Sequence, residues 1–379
     1  MSNLSLGDVL ARASIEKCGR GNYPVLSMTM HDGLVFQGDR FKKRIASKDQ
    51  SAYNVVHRNQ LVVGFPIDEG VLAVQDIADA GIVSPAYRIW DINQNAVVPE
   101  YLEMFLRSSH SIQFYKSKLK GSTARRRSIT DADFLKMELP TSDLMEQEHV
   151  VDVIGKVARA IRLRKRELES IDELVKSQFV EMFGDPENPS SDCEVCKLGD
   201  RCDVVTGNTP ARARKEFYGP GIEWIKSDNV LPGAMRLKKA KEQLTDAGKA
   251  VARIAKPGWL LMVCIAGSPN TIGNTAFVDR EVAFNQQING IDPRDENPIY
   301  LQAALGLLKP RLTSGLNAAL KCILNKSTLS ATEVPFPSRG LQDDFAAFVA
   351  QVDKSGFAVR RSIEQLELLK AKLMQEYFS

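Results

Sequence analysis

Basic side chains cluster in both halves of the chain, where loops could present them to phosphate groups. In the second half, Gly207 permits a tight turn, Thr209 and Pro210 fix an extended exit, and Arg212 and Arg214 follow directly. Most basic clusters on proteins are solvated faces, so this alternative stays open. The residues predicted to contact phosphates or bases are Arg125, Arg126, Arg127, Arg212 and Arg214.

Two further segments of the second half carry short polar side chains that could read base edges. They are GSPNTIGNTAF from Gly267 and FNQQINGI from Phe284. Asparagine and glutamine can pair bidentately with adenine, and serine and threonine make short polar contacts. Such amides can equally satisfy buried backbone groups in turns, so both interpretations remain. The residues predicted to contact base edges are Ser268, Asn270, Thr271, Asn285 and Gln287.

The sequence lacks the motifs of the catalysis that acts on nucleic acids. Gly155-Lys156 and Gly248-Lys249 both lack the upstream glycine of a nucleotide-phosphate loop. No Asn-Pro-Pro-Tyr-like segment, the signature of adenine methylation, occurs, and DPRDEN from Asp292 lacks the lysine of a common nuclease motif. His149 lies among acids on a predicted helix, where a surface role is favoured. We therefore predict no catalytic residue in this chain.

The cysteines do not form a zinc motif. Cys193 and Cys196 are separated by two residues and Cys202 follows, but all four histidines lie in the first half and no second cysteine pair is present. Six cysteines in 379 residues do not make a disulfide framework either. We predict that the chain binds no metal and works in a reducing compartment.

Composition is that of a water-soluble protein of two domains. Hydrophobic residues make up 44% of the 379 and charged residues 26%, and the net charge is +3. One core rarely grows beyond about 250–300 residues, so two globular parts are expected. The first residues lack the order of a secretion signal, and no apolar run approaches the ~20 residues that span a bilayer. We predict a cytoplasmic protein without a membrane segment.

The chain repeats itself. LGDV at Leu6 returns as LGDR at Leu198, an offset of 192 residues. ELVKSQFVEMF at Glu173 returns as ELLKAKLMQEYF at Glu367, an offset of 194, and Gln147 finds Gln342 at an offset of 195. Offsets this steady predict two copies of one unit with pseudo-two-fold symmetry.

Each copy begins with short strands and turns. QLVVGF from Gln60 and PAYRIW from Pro85 read as strands, and Pro99 opens a helix. In the second copy WLLMVCIAG from Trp259 and AFNQQINGI take the places of the strands, and a helix follows Pro298. This mixture predicts α+β domains.

A long amphipathic helix follows each globular part. Asp143 is predicted to cap the first helix, with Glu146 as its box partner. Apolar residues then recur at heptad spacing in both copies, and each helix covers about 40 residues or ~60 Å. A helix with one apolar seam needs a partner, so we predict an antiparallel coiled coil of the two. The polar seam residues Arg164, Gln178, Gly356 and Lys370 either fix its register or mark local fraying.

The predicted fold class is therefore α+β, with two similar domains separated by two long antiparallel coiled-coil helices. The predicted boundaries are a first domain at 1–143, a helix at 144–184, a linker at 185–197, a second domain at 198–337 and a second helix at 338–379.

The order of these segments resembles the specificity subunit of type I restriction-modification systems. The likeness rests on LGDR…TGNTP…GIEWIKSDNV, GWLLMVCIAGSPNTIGNTAF, NQQINGI and PFPSRGLQDDFAAFV before a long helix. It covers essentially the whole chain and is strong in the second half. The first half has NYPVLSMTMHDGLV in place of Gly-x-Thr-Pro and VSPAY in place of FNQQI. It is therefore similar to a different subtype of target-recognition domain, one that would read a different half-site.

The resemblance implies a DNA-reading subunit without catalysis of its own. In that family two target-recognition domains each read one part of a bipartite site in double-stranded DNA, and the paired helices set the distance between the parts. Two adenine methyltransferase subunits and a restriction subunit are the implied partners. The implied cofactors S-adenosylmethionine, ATP and Mg²⁺ belong to those partners, and none belongs to this chain.

Two alternatives come from other classes of protein. A scaffold could bridge two proteins through its coiled coil without reading DNA, and a free-standing enzyme would transfer methyl groups alone. Binding to random duplexes in the presence of a methyltransferase partner separates the first alternative, and a methylation assay of the purified chain separates the second. Neither the recognised bases nor the spacer length follows from the sequence, since both depend on loop geometry and DNA bending.

Overall fold

The computed structural model describes residues 4–30, 32–40, 49–119, 129–140, 143–267, 269–314 and 323–378. The chain divides into two compact units. Unit 1 comprises residues 1–164 together with 362–379, and unit 2 comprises residues 165–361. Each unit therefore contains one globular part and a piece of each long helix.

The globular part of unit 1 is built from short elements. Its strands are β1 (Leu4–Ser5), β2 (Leu10–Arg12), β3 (Leu26–Thr29), β4 (Gly33–Phe36), β5 (Asn54–His57), β6 (Leu61–Val63), β7 (Leu72–Val74), β8 (Ala80–Val83), β9 (Arg88–Ile92) and β10 (Glu138–Leu139). Its helices are α1 (Leu6–Val9), α2 (Gln37–Arg40), α3 (Pro99–Leu106), α4 (Ser109–Lys118) and α5 (Asp131–Leu135).

A four-stranded antiparallel sheet in the order β2-β9-β6-β7 divides unit 1 into two cores. Successive side chains of a strand point to opposite faces. Leu61 and Val63 of β6 therefore pack into the core that contains α3 and the long helices, whereas Val62 packs on the other face. Both faces are covered, which explains why this strand reads as a continuous apolar run. The outer core lies beneath two two-stranded sheets, β3-β4 and β5-β8.

The first long helix, α6 (Leu144–Phe183), leads into unit 2. The strands of unit 2 are β11 (Gly184–Asp185), β12 (Asn188–Pro189), β13 (Glu194–Lys197), β14 (Asp203–Thr206), β15 (Tyr218–Ile225), β16 (Gln243–Leu244), β17 (Ile254–Ala255), β18 (Leu260–Val263), β19 (Thr275–Phe277), β20 (Val282–Phe284), β21 (Ile288–Asp292) and β22 (Glu333–Phe336). Its short helices are α7 (Leu198–Arg201), α8 (Asp246–Val251), α9 (Pro298–Thr313) and α10 (Lys326–Ser330), and the second long helix is α11 (Arg339–Phe378).

Unit 2 has the same central sheet, in the order β14-β21-β18-β19, again antiparallel. Leu260 and Met262 of β18 face the core that contains α9 and the long helices. Leu261 and Val263 face an outer core. Here the outer core is covered by one four-stranded sheet, β16-β15-β20-β17, in which β15 and β20 run parallel.

The long helices pack in each unit as the predicted antiparallel pairing requires. In unit 2, Phe179 of α6 packs against Phe345 of α11 with ring centroids 5.5 Å apart, and Asp172 interacts with Arg360. Residue numbers thus fall along one helix as they rise along the other. In unit 1, Val150 at the start of α6 shares a core with Phe378 at the end of α11.

The heptad prediction is confirmed at the level of burial. Every residue assigned to the apolar seam of either helix is buried or half-buried, and the first turn is capped by Asp143, whose side-chain oxygen accepts the Glu146 N–H at 2.9 Å. The sequence-based assignment missed the terminal aromatic residues Phe179, Phe183 and Phe378, which are almost fully buried. Of the predicted polar seam positions, Arg164 is exposed and Gly356 is buried, and their role in register stays a prediction.

One glutamine in the first turns of each long helix hydrogen-bonds to the adjacent globular part. The side-chain oxygen of Gln147 accepts the N–H of Val98 at 2.8 Å, and that of Gln342 accepts the N–H of Asn297 at 2.8 Å. Both glutamines are fully buried. The two donor residues, Val98 and Asn297, each directly precede the proline that opens α3 or α9. The same hydrogen bond therefore recurs in both units.

The duplication is confirmed, but its offset is less steady than the sequence motifs indicate. Pro99 and Pro298 open equivalent helices at an offset of 199 residues, compared with 192 at Leu6 and Leu198. The difference of 199 − 192 = 7 residues arises between Leu198 and Pro298 of unit 2, compared with Leu6 and Pro99 of unit 1. The end of the predicted linker, Glu194–Lys197, is strand β13 and pairs with β22, as β1 pairs with β10 in unit 1. The predicted domain limits themselves stay predictions.

Candidate nucleic-acid interface

Two motifs of the second half meet at the edge of the outer sheet of unit 2. Gly207 follows β14, and a Cβ atom placed there would lie 2.2 Å from the carbonyl oxygen of Asn285. Only glycine therefore fits this close approach. The Thr209 hydroxyl donates to the side-chain oxygen of Gln286. The TGNTP loop is thus held on the turn of the FNQQI segment.

Arg212 projects from this loop onto two aromatic rings. Its guanidinium carbon lies 4.5 Å from the ring centroid of Tyr218 and 4.8 Å from that of Trp224. Lys226 lies over the Trp224 ring as well, at 5.0 Å. Arg212 and Lys226 both donate to the carboxylate of Glu242. The side chain of Arg212 is 54% exposed, so it is positioned and still reachable from solvent.

Arg214 is the more exposed of the two predicted arginines. Its Nε donates to Glu216 at 2.7 Å, and its guanidinium lies 4.6 Å from the Phe217 ring centroid. The side chain is 62% exposed. An exposed pair of this kind adds little stability, so Arg214 can leave Glu216 for a phosphate at small cost.

Both carboxylates at this edge are ionised at neutral pH. The hydrogen bond from Arg212 holds the pKa of Glu242 below its usual value, and the hydrogen bond from Arg214 does the same for the pKa of Glu216. Together with Lys226 the two arginines outnumber the two carboxylates, which leaves this edge with one net positive charge.

The FNQQI turn engages its own amides. The Asn285 side chain is buried; its Nδ2 donates to Gln287 Oε1 at 3.0 Å and its Oδ1 accepts the Gln287 N–H at 3.1 Å. This is the turn-stabilising role that the sequence left open for these residues. Gln286 between them is exposed. The predicted base contacts of Asn285 and Gln287 stay predictions, and Gln286 is the more accessible amide.

The GSPNT segment forms a short 3-10 turn at Pro269–Thr271. Ser268 lies outside the described residues. Asn270 is exposed, and its carbonyl oxygen accepts a hydrogen bond from Lys309 Nζ at 2.8 Å. Burial lowers the pKa of Lys309. Thr271 is half-buried, and Ile272 behind it anchors the turn in the core.

The predicted phosphate contacts of unit 1, Arg125, Arg126 and Arg127, lie outside the described residues. Among the described residues of unit 1, Arg12 and Arg88 form a different basic cluster around Asp131. Arg12 lies 5.0 Å from the Trp90 ring centroid and donates to Asp131 at 3.1 Å, and Arg88 donates to the same carboxylate at 2.7 Å. Sequence reasoning missed this cluster, because its members are far apart in the chain.

Burial disfavours the thiolate form of two cysteines in unit 2. It raises the pKa of Cys196, and it raises the pKa of Cys202 to about 12. Reactive cysteines have lowered pKa values, so neither of these two thiols has the environment of a nucleophile. In the parts of the chain that the structure describes, no three histidine, cysteine, aspartate or glutamate side chains group as a metal site. No described helix is long and apolar enough to cross a membrane.

Comparisons with known proteins point to one family. Residues 190–368 match the sequence profile described as the type I restriction modification DNA specificity domain. The chain is 21% identical to the type I restriction enzyme HindI specificity subunit of Haemophilus influenzae, over 71% of this chain and 74% of that protein. It is 26% identical to the MjaIX specificity subunit of Methanocaldococcus jannaschii, over 49% of this chain and 44% of that protein.

Solved structures share the fold. One, from a study of complex assembly and conformational transition in a type I restriction-modification system, aligns with a TM-score of 0.57 and 18% identity, covering 100% of this chain and 97% of that chain. The S subunit of such a system from M. genitalium aligns with a TM-score of 0.56 and 11% identity, covering 100% and 96%.

Proposed function

We infer that this chain belongs to the specificity subunits of type I restriction-modification systems and serves as the DNA-recognition subunit of one. The observation that carries this inference is the match of residues 190–368 to the DNA specificity domain. Unit 1 repeats the central sheet and the glutamine anchor of unit 2, so the same role extends to the first half. The family match does not favour a scaffold that ignores DNA.

We propose that the target is bipartite and that each unit reads one part of it. The two outer sheets are built differently, so they would present different side chains to their half-sites. In unit 2, Arg212, Arg214 and Lys226 provide cations for phosphates, and Gln286 provides an exposed amide beside them. In unit 1, Arg12 and the predicted Arg125, Arg126 and Arg127 supply the corresponding charges.

The long helices are the proposed docking surface for two adenine methyltransferase subunits, which a restriction subunit then joins. Large apolar side chains lie on their outer sides. In unit 1, Leu163 is 57% exposed and Leu368 is 59% exposed; in unit 2, Leu174 is 49% exposed and Phe357 is 64% exposed. Such residues on a helix that already has a buried seam support contact with further helices.

We propose that this chain performs no catalysis. Methyl transfer from S-adenosylmethionine, and restriction driven by ATP and Mg²⁺, would belong to the partner subunits. The proposal is supported by the match of residues 190–368 to the DNA specificity domain and by the similarity to proteins named as specificity subunits.

Sequencing of modified adenines tests the proposed function. The chain is expressed with its methyltransferase partner in a host that lacks other adenine methylation. We expect methylation at one motif made of two short half-sites around a fixed non-specific spacer. The partner alone is the control and should leave the genome unmodified. Methylation without a split motif would overturn the bipartite target, and equal methylation by the partner alone would overturn the recognition role.

A heptad insertion tests whether the helices set the spacer. Seven residues added to both α6 and α11 keep the seam continuous and lengthen each helix by ~10.5 Å. At 3.4 Å per base pair we expect the spacer to grow by about three base pairs. An unchanged spacer would show that other elements set the half-site separation.

A further inference from the structure

One carboxylate in unit 2 holds two cations that a DNA phosphate could hold instead. Glu242 accepts hydrogen bonds from Arg212 and from Lys226, and both cations lie over the ring of Trp224. Trp224 is 2% exposed, whereas Glu242 is 31% exposed. Trp224 thus forms a buried floor and Tyr218 is half-buried, whereas the side chains of Arg212 and Lys226 are 54% and 32% exposed, so all three charged groups can be reached from solvent.

Both cations have partners besides Glu242. Arg212 is held over Tyr218 and Trp224 at 4.5 and 4.8 Å, and Lys226 over Trp224 at 5.0 Å. Cation–π contacts of this kind attract a cation to the face of an aromatic ring independently of any carboxylate. Removal of the carboxylate would therefore leave two cations converging on one vacated anion position.

The contrast with a nearby ion pair shows what makes Glu242 replaceable. Glu223 takes a bidentate pair from Arg280 at 2.8 and 2.9 Å and also accepts the N–H of Ala240 at 2.7 Å. Its side chain is 14% exposed, so it is a closed structural pair. The donors to the Glu242 carboxylate are both side-chain cations, and the group of three carries one net positive charge.

We propose that Arg212 and Lys226 form a clamp for one backbone phosphate of the DNA target, and that Glu242 occupies this anion position until the DNA displaces it. A phosphodiester offers two unesterified oxygens and one negative charge, as a carboxylate does, and a guanidinium binds either through two parallel hydrogen bonds. Glu242 thereby lowers the affinity for any duplex that does not add base contacts. This clamp rests on the proposed function, since it assumes that unit 2 binds DNA.

The substitution Glu242→Gln tests the clamp in the full chain bound to its methyltransferase partner. Glutamine keeps the size and loses the charge that competes with phosphate. We expect random-sequence duplexes to bind roughly three- to tenfold tighter, with a slope of log affinity against log salt steeper by up to ~0.9. Affinity for a duplex that carries the recognised motif should rise less, because base contacts to that motif already help to displace Glu242.

Control variants separate the clamp from a general effect of charge. Glu333→Gln removes an exposed carboxylate from β22 of the same unit and should leave binding nearly unchanged. Arg212→Ala in the Glu242→Gln background should remove the gain. If Glu242→Gln fails to fold, Glu242→Asp serves, because one methylene less weakens the contact of the carboxylate with both cations, and a smaller gain in the same direction is expected since the charge remains.

Three results would overturn the clamp: unchanged or weaker binding by Glu242→Gln, an equal gain in Glu333→Gln, or a gain that survives Arg212→Ala. Inorganic phosphate should weaken duplex binding no more than chloride at equal ionic strength; a larger effect would mark a site for free phosphate and not for DNA. If the wild-type complex fails to bind any duplex, the proposed function fails. If it binds and methylates a bipartite target while Glu242→Gln behaves as wild type, only the clamp fails.

Discussion

The two units agree on one face of the central sheet and differ on the other. The inner faces, around Leu61 and Leu260, pack against α3 or α9 and the long helices through the same set of contacts. The outer faces, around Val62 and Leu261, are covered by two two-stranded antiparallel sheets in unit 1 and by one four-stranded mixed sheet in unit 2. The inner face therefore carries the framework common to both units, and the outer face is where the two units differ.

The last aromatic residue of each long helix packs on a tyrosine of the other copy. Phe183 ends α6 of the first copy and packs on Tyr300 of the second, with ring centroids 5.0 Å apart. Phe378 ends α11 of the second copy and packs on Tyr101 of the first, at 5.2 Å. Tyr101 and Tyr300 donate equivalent hydrogen bonds to the carbonyl oxygens of prolines, at 3.0 and 2.6 Å. Each unit is completed by the helix end of the other copy.

Truncation of these terminal aromatic residues should give the largest effects. Phe183→Ala and Phe378→Ala each leave a cavity in a fully buried site, and we expect a loss of about 3–5 kcal/mol in each case. Phe183 should cost more, because it also contacts Phe179 and Phe345. Urea unfolding measures the loss in the free energy of unfolding. Hydrogen exchange in peptides of each unit shows where protection is lost.

The exchange pattern tests the division into units. Phe183→Ala should release protection in unit 2 and Phe378→Ala in unit 1. Leu368→Ala, which is 59% exposed, is the control and should stay within about 0.5 kcal/mol of wild type. Equal loss of protection in both units from either substitution would contradict the partition.

The glutamine anchors should give the next largest effect, and the two units should differ. Gln342→Ala leaves the buried carboxylate of Glu296 without a donor that lies 2.6 Å away, so we expect a loss of about 2–3 kcal/mol. Gln147 donates to the uncharged Ala96 carbonyl at 3.4 Å, so the loss of this bond in Gln147→Ala should cost about 1–2 kcal/mol. Gln351→Ala on the exposed side of α11 is the matched control, and equal losses from the two anchors would reject the role given to Glu296.

The framework was largely predictable from sequence because it depends on periodicity and on repeated short motifs. The seam of each long helix, the strands at Leu61 and Leu260, and the helices opened by Pro99 and Pro298 follow from apolar spacing and from the position of proline. Phe179 and Phe183 escaped prediction, because the domain of the other copy buries them and heptad spacing does not.

The candidate interface was only partly predictable. Arg212 and Arg214 were found from a loop pattern, but Lys226 and Glu242 are brought to Arg212 by the pairing of β15 with β16, across 16 residues of chain. Asn285 is predicted to contact a base, and in the structure it is buried in a turn where its side-chain oxygen accepts the Gln287 N–H, so the residue type alone does not separate the two roles. Burial, which separates these roles, is a property of the fold.

Substitution of two arginines in the candidate interface of unit 2 should have a moderate effect on DNA affinity. The double variant Arg212→Ala, Arg214→Ala removes two exposed cations of unit 2. If they anchor phosphates, binding to all duplexes should weaken roughly tenfold, and the salt slope should flatten by about one for each lost contact. Lys156→Gln, which removes one exposed cation from α6, is the control. Unchanged affinity in the double variant would reject the assignment, and a changed base preference at one half-site would assign base contact instead.

The smallest effect should come from two carboxylates whose pKa values are shifted in opposite directions in the two units. Burial raises the pKa of Glu103 in unit 1 above its usual 4.5, whereas Arg280 lowers the pKa of Glu223 in unit 2 below 4.5. As pH falls from 7 toward 4.5, the folded state of unit 1 takes up a proton before the unfolded state does, so Glu103 makes unit 1 relatively more stable. Glu223 keeps its full contribution over this window and loses it only below 4.5.

Hydrogen exchange at pH 7, 6 and 5, corrected for the intrinsic rates, should show this divergence. Glu103→Gln should remove the gain of unit 1, while Glu223→Gln leaves that gain intact. A gain that persists in Glu103→Gln would place its origin in another titrating group of unit 1.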